Sequence, residues 1–229
     1  MPIHVITNEN KHLYKDQIEQ HYRIRYQIYV EKRKWMALDR PDKREVDQFD
    51  NDHAIYLLAL EGDEVVGGTR FVPTIYPHLM SEVFPELASV RGLQRGYDVV
   101  EWTRIFVIPS KRGDGTGHTL ADEVLAGMLE FCLEEGFSKI AVVCETFWLP
   151  RWLEIGWKAK PLGPITQIED MECLGVVIDV DIETLEQTRE VRNVPANVLV
   201  RRSCKPGIVS QIIEEHQRIQ ASRSTRYVG

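Results

Sequence analysis

The chain has 229 residues, 43% hydrophobic and 28% charged, the balance of a globular protein with room for one sizeable core. A formal net charge of −7 argues against a nucleic-acid partner, and no apolar run approaches the roughly 20 residues that a membrane span needs. The start, MPIHVITNEN, has no basic stretch followed by an apolar one, so a cytoplasmic protein without a membrane partner is expected.

Residues 12–32 carry apolar groups at Leu13, Ile18, Tyr22, Ile24, Ile28 and Tyr29, a helical and amphipathic spacing. A polar loop follows, and its stretch REVDQFDND sets Glu45, Asp47, Asp50 and Asp52 around the apolar Val46 and Phe49. Residues 54–74 predict a hairpin turning at Glu61-Gly62-Asp63. PHLMSEVFPEL predicts a short helix. DVVEWTRIFVIP predicts a strand with Val100, Trp102, Arg104, Phe106 and Ile108 on one face and Glu101, Thr103, Ile105 and Val107 on the other. A strong helix over 117–136 has Gly136 as its C-cap, and SKIAVVCET reads as a buried strand. FWLPRWLEIGW, CLGVVIDVD and DIETLEQTREV then read as helix, strand and helix. A strand–helix–strand crossover implies parallel neighbours, hence a single α/β domain built on a mixed sheet with helices on both faces. Its expected span is residues 1–205, with 206–229 as a C-terminal helix and tail.

Four features bear on chemistry. Cys132, Cys144, Cys173 and Cys204 lie far apart, and the seven histidines form no H-x-x-x-H, so neither a disulfide framework nor a metal site is expected. Arg25, Arg70, Glu101 and Arg104 sit in otherwise apolar segments, where charges are rarely buried unpaired. These could be ion pairs tying a loop to the sheet, or a pocket whose acids face a cation while its arginines orient them. The loop PSKRGDGTGHT, between a strand and a helix, is rich in glycine and basic at Lys111 and Arg112, a combination that can cradle a pyrophosphate or simply connect two elements.

The run Arg112-x-x-Gly115-x-Gly117 resembles the pyrophosphate loop of the GNAT (N-acetyltransferase) superfamily. That resemblance implies a GNAT-like fold, coenzyme A held by Lys111, Arg112, Gly115 and Gly117, and a pantetheine arm between splayed strands 98–108 and 138–145. A fuller resemblance is to the LuxI-type acyl-homoserine-lactone synthases, which make quorum-sensing autoinducers. It is carried by Arg25-x3-Tyr29-x5-Trp35, Glu45-x-Asp47-x2-Asp50, Arg70-x2-Pro73-Thr74, Phe84-Pro85 and Glu101-x-Thr103-Arg104. The chain departs from that pattern at Tyr29 and Ile105, where the family more often has Phe, and at Thr103, where it more often has Ser.

The resemblance implies an acyltransferase. An acyl thioester would acylate the amine of S-adenosylmethionine, which then lactonises and releases 5′-methylthioadenosine. The implied catalytic set is Arg25, Glu45, Asp47, Asp50, Arg70, Glu101 and Arg104, with Glu101 or Glu45 as base. The implied contacts to S-adenosylmethionine and the acyl group are Tyr29, Trp35, Phe84, Trp102, Thr103, Phe106, Cys144, Phe147 and Trp148. No cofactor is implied beyond the co-substrates S-adenosylmethionine and acyl-CoA. The aromatic segment CETFWLPRWLEIGW looks like that of the isovaleryl- and coumaroyl-homoserine-lactone synthases, which implies a short branched or aryl acyl-CoA. Acyl carrier protein is the alternative donor and partner. A general N-acyltransferase and a non-catalytic acyl-CoA sensor are the competing functions.

Overall fold

The computed structural model describes residues 1–112 and 118–226, the side chains of 219–226 excepted. The chain enters through β1 (Ile3–Ile6), a fully buried strand. Helix α1 (Lys15–Arg25) continues directly into a π-helical segment, Tyr26–Lys32. The wider turn buries Tyr26, Ile28, Tyr29 and Val30 almost in succession, which a regular helix would not do. The polar loop leads to the hairpin β2 (Ile55–Glu61) and β3 (Glu64–Pro73). Short helix α2 (Leu79–Glu82) and a 3-10 turn, Pro85–Ala88, precede β4 (Val99–Val107).

Helix α3 (Leu120–Glu135) begins with Thr119 and Asp122 capping each other and ends at Gly136, whose φ of 87° suits glycine. There follow β5 (Lys139–Glu145), α4 (Trp148–Glu154), β6 (Lys158–Pro161), β7 (Thr166–Ile168) and β8 (Met171–Asp179). Helix α5 (Ile182–Arg192), β9 (Leu199–Arg201) and α6 (Ile208–Arg226) complete the chain.

Among the described residues, the nine strands form one mixed sheet in the order β6-β8-β5-β4-β3-β2-β1-β9, with β7 paired to β8. Only β4 with β5 and β1 with β9 pair in parallel. One face packs against α3, α4 and α5 through Val124, Leu129, Phe131, Trp152, Trp157 and Leu185. The other meets α1 and the π segment through Tyr14, Tyr22, Ile28, Tyr29 and Phe106. Helix α6 docks by its first turns: Ile212 is buried, and Gly207 and Ile208 donate their N–H groups to Glu135 Oε2 at 2.7 and 2.8 Å. This is the expected mixed α/β domain. The strands β1, β6, β7 and β9 are additions, each only three or four residues long.

The strict alternation expected along β4 does not survive. Between the pairs Gly68↔Phe106 and Arg70↔Thr103, the single residue Thr69 stands opposite both Arg104 and Ile105, and Arg104 has a φ of 58°. This is a β-bulge, which adds a residue and swaps faces beyond it. Trp102, Ile105 and Val107 therefore share one core cluster, while Phe106 belongs to the other.

The 3-10 turn after α2 lies directly on β8. A Cβ built on Gly175 would stand 2.7 Å from the Leu87 carbonyl oxygen, too close for backbone to yield. Gly175→Ala is expected to cost about 1–3 kcal/mol in urea denaturation; a loss below ~0.5 kcal/mol would contradict this close packing.

Candidate active site

The acidic loop turns inward. Arg25 at the end of α1 donates from Nε to Glu45 Oε2 at 2.5 Å and grips Asp50 with both terminal nitrogens at 2.7 and 2.9 Å. Arg70 on β3 grips Asp47 likewise at 2.6 and 3.0 Å and reaches Asp50 at 2.9 Å. Arg104 on the β4 bulge holds both Glu45 oxygens, at 3.0 and 3.1 Å, and Asp47 at 3.0 Å. The side chains of Arg25, Arg70 and Asp50 are fully buried. Burial alone would raise the Glu45 carboxyl, but Arg104 and Arg25 outweigh it and hold it at about 2. Asp50 is held well below the usual carboxylate range in the same way, by Arg25 and Arg70. Three carboxylates from one loop thus neutralise three arginines from three elements.

Glu101 stands apart from that network. Its two oxygens accept the N–H groups of Leu79 and Met80, both at 2.7 Å, and it is fully buried. Desolvation dominates and pushes its carboxyl up to about 7.

Beside the network lies a cavity of about 550 Å³. Its lining includes Asp47, Arg104, Trp35 and Phe49, and also Cys144, Trp148, Trp152 and Met171. The floor is the place where the parallel strands part. Pairing of β4 with β5 runs from Val99↔Lys139 to Trp102↔Val142 and stops, and Thr103, Ile105, Val143 and Cys144 beyond it line the opening. Tyr29 donates its hydroxyl to the Ile105 carbonyl at 2.9 Å and stacks on Trp35 at 4.9 Å, which holds one wall. Burial pushes the Cys144 thiol up to about 12, so it is an apolar wall group and not a nucleophile. Among the described residues, no His, Cys, Asp and Glu cluster could hold a metal, and no helix is long and apolar enough to cross a membrane.

Residues 9–188 match the family model described as autoinducer synthase. The chain belongs to that family. This autoinducer synthase is 43% identical over 196 residues to the isovaleryl-homoserine lactone synthase of Bradyrhizobium diazoefficiens, covering 86% of this chain and 88% of that protein. A solved CoA-dependent acyl-homoserine lactone synthase, BjaI, with SAM and isopentyl-CoA, superposes with a TM-score of 0.86 at 40% identity. That match covers 92% of this chain and 97% of the other. A putative N-acetyltransferase from Lactobacillus plantarum, at 15% identity and a TM-score of 0.53, covers 79% of this chain and all of the other and shares the GNAT-like fold.

Of the seven charged residues singled out from sequence, Asp47 and Arg104 line the synthase cavity. Arg25, Glu45, Asp50 and Arg70 stand behind them in the network, and Glu101 is enclosed under α2. Tyr29, Trp35, Phe84, Trp102, Thr103, Cys144 and Trp148 line the cavity as well. Phe106 does not; the bulge turns it toward His21 on the opposite face, with ring centroids 5.5 Å apart. Phe147 is 41% exposed under the Arg151 guanidinium and is likewise outside the lining.

Lys111 pairs with Glu61 at 2.6 Å, and Arg112 donates from Nε to the Val107 carbonyl at 3.1 Å. Gly115 and Gly117 lie outside the described residues. Lining residues that sequence reasoning passed over include Arg33, Leu79, Glu145 and Met171. Trp152, from the aromatic segment singled out in the sequence, lines the cavity one helical turn from Trp148; Arg33 and Glu145, which pair at 2.9 Å, gave no local signal.

Two outcomes follow from the electrostatics. Arg70→Ala leaves the buried Asp50 and the partly exposed Asp47 with fewer partners and is expected to cost about 3–5 kcal/mol in urea denaturation; a cost under ~1 kcal/mol would contradict a closed network. Glu101 titrates near 7 when folded and near 4.5 when unfolded, so the folded state binds its proton more tightly. Its contribution, about 3 kcal/mol, is complete below pH 4.5 and is lost as pH rises through 7. Glu101→Gln removes that slope; a stability curve that keeps it between pH 4.5 and 7 would assign the titration elsewhere.

Proposed function

We propose that the protein joins the acyl group of a short branched or aryl acyl-CoA to the amine of S-adenosylmethionine and closes the product to an acyl-homoserine lactone. The observation that supports this best is one cavity, at the parting of β4 and β5, whose lining holds both Asp47 and Arg104 and the aromatic Trp148 and Trp152. The similarity to an isovaleryl-homoserine lactone synthase, and to a synthase solved with SAM and isopentyl-CoA, points the same way.

In this reading the sulfonium and ammonium of S-adenosylmethionine meet Asp47, the loop carboxylate that reaches the cavity. Trp35, braced by Tyr29, offers the adenine a flat face. The thioester lies in the parting of the strands, with its acyl tail against Trp148 and Trp152. Lys111 and Arg112, at the mouth of the Gly-rich loop, supply positive charge to the coenzyme A pyrophosphate.

The amine must first lose a proton. Glu45, at about 2, is a poor acceptor for it. Glu101 has the more suitable carboxyl, but both of its oxygens are held by backbone N–H groups and it does not line the cavity. In this reading the proton passes through water to bulk solvent. The nitrogen then attacks the thioester carbonyl carbon, and backbone N–H groups of β4 beyond Trp102 meet the oxyanion. The carbon–sulfur bond breaks and coenzyme A departs as the thiol. A carboxylate oxygen of the acylated product next attacks the methylene carbon bonded to the sulfonium. That carbon–sulfur bond breaks, and neutral 5′-methylthioadenosine leaves with the lactone complete. Both substrates are cytoplasmic metabolites, so the reading puts the enzyme in the cytoplasm.

Purified protein given S-adenosylmethionine and isovaleryl-CoA or an aryl-CoA is expected to release methylthioadenosine and acyl-homoserine lactone in equal amounts. Faster turnover with long straight chains on acyl carrier protein than with any CoA thioester would overturn the donor assignment. Asp47→Asn is expected to raise the KM for S-adenosylmethionine about tenfold, the equivalent of ~1.4 kcal/mol; an unchanged KM would remove Asp47 from that substrate.

A further inference from the structure

Helix α2 is only four residues long, far below what a helix needs to be stable by itself. The first N–H groups of any helix have no partner within it, and the side chain of the N-cap residue is their usual acceptor. Here the N-cap residue, His78, engages Ser81, while the N–H groups of Leu79 and Met80 reach across to Glu101 on β4. Both bonds measure 2.7 Å and each takes a different carboxylate oxygen, so both oxygens are engaged by α2. What α2 carries is one wall of the cavity. Leu79, Val83 and Phe84 line it, and Met80 is buried behind them against Val99 and Ala141.

We propose that Glu101 is a positioning residue for the acyl pocket: its carboxylate docks α2 onto β4 and so sets where Leu79, Val83 and Phe84 stand against the thioester. This rests on the acyl-CoA reading given above and assigns to that site a wall whose place is set from behind. A base would act on the amine. A positioning carboxylate acts on how tightly, and with what preference, the acyl group is held.

Two measurements separate these roles. Amide hydrogen exchange on the unmodified protein asks whether Leu79 and Met80 are protected as well as the interior of β4. Exchange as fast as an open loop overturns the proposal, and this readout needs no turnover. Steady-state kinetics then compare Glu101→Gln, which keeps one acceptor oxygen, and Glu101→Asp, which keeps the charge one methylene short, on a series of CoA thioesters. The proposal expects the KM for the preferred acyl-CoA to rise about tenfold or more in both variants. It also expects the preference between small and large acyl groups to flatten, with kcat at saturation within about fivefold of the parent.

A fall in kcat of about 100-fold or more at unchanged KM, the signature of a lost base, overturns it. If the parent protein makes no lactone from any thioester, the acyl-CoA reading fails and the pocket role falls with it. If the parent turns over normally and only the variants' KM values are unmoved, the positioning role alone fails.

Discussion

Three arginines and three carboxylates cancel one another behind the cavity, and the position of everything around it depends on that cancellation. Arg25 comes from α1, Arg70 from β3 and Arg104 from β4, while Glu45, Asp47 and Asp50 come from one loop without regular structure. Burying such groups is costly, and a pair of this kind gives little net stability compared with apolar packing. Removing any one member, however, leaves a buried charge, so the six behave as a set. The loop has few other ways to be held, because Phe49 is its main buried apolar anchor. What the network contributes is placement. It delivers Asp47 and Arg104 to the cavity wall and keeps Glu45 and Asp50 behind it.

The bulge at Arg104 belongs to the same arrangement. A non-glycine residue at positive φ is uncommon, and the surroundings must over-determine it. Here the guanidinium is held by Glu45 and Asp47, and the Tyr29 hydroxyl holds the carbonyl of the next residue, Ile105. The extra residue rotates β4 just as its pairing with β5 ends. A regular strand would have kept Arg104 on the face of Trp102, away from the acids, and would have sealed the sheet. The strain, the ion network and the opening between the strands are one local structure with several consequences.

The fold was legible where periodicity was strong. The amphipathic α1, the hairpin, α3 with its glycine cap and the buried β5 and β8 all stand where their patterns put them. The short strands were not legible, because three or four residues such as Lys158–Pro161 carry too little alternation to separate strand from loop. The face assignment along β4 failed beyond Thr103 for a related reason: a bulge shifts the period without leaving a glycine or proline to mark it. The charged residues were conspicuous as a group because charge in apolar segments is rare. Their division into a buried network, a cavity pair and the separate Glu101 required distances. Of the two readings left open for the acids, ion pairing accounts for Glu45 and Asp50, and only Asp47 also faces the open space.

The tryptophan-lined part of the cavity is built on a different principle. Trp148, Trp152 and Trp157 stack in sequence, and Trp102 tilts against the latter two. Two of these indoles are pinned by hydrogen bonds, Trp102 to Thr69 and Trp157 to Thr188. Stacked rings with few rotatable bonds and fixed ends do not give way as a methionine does, so this wall has a definite shape. Helix α2, which supplies another part of the lining, is short and is held mainly through Glu101 and Met80. One part of the pocket is therefore rigid through its own packing, while the other is held by one carboxylate and one buried methionine. In such a pocket, a change of acyl preference is reached with less disruption of the core through the α2 side than through the tryptophans.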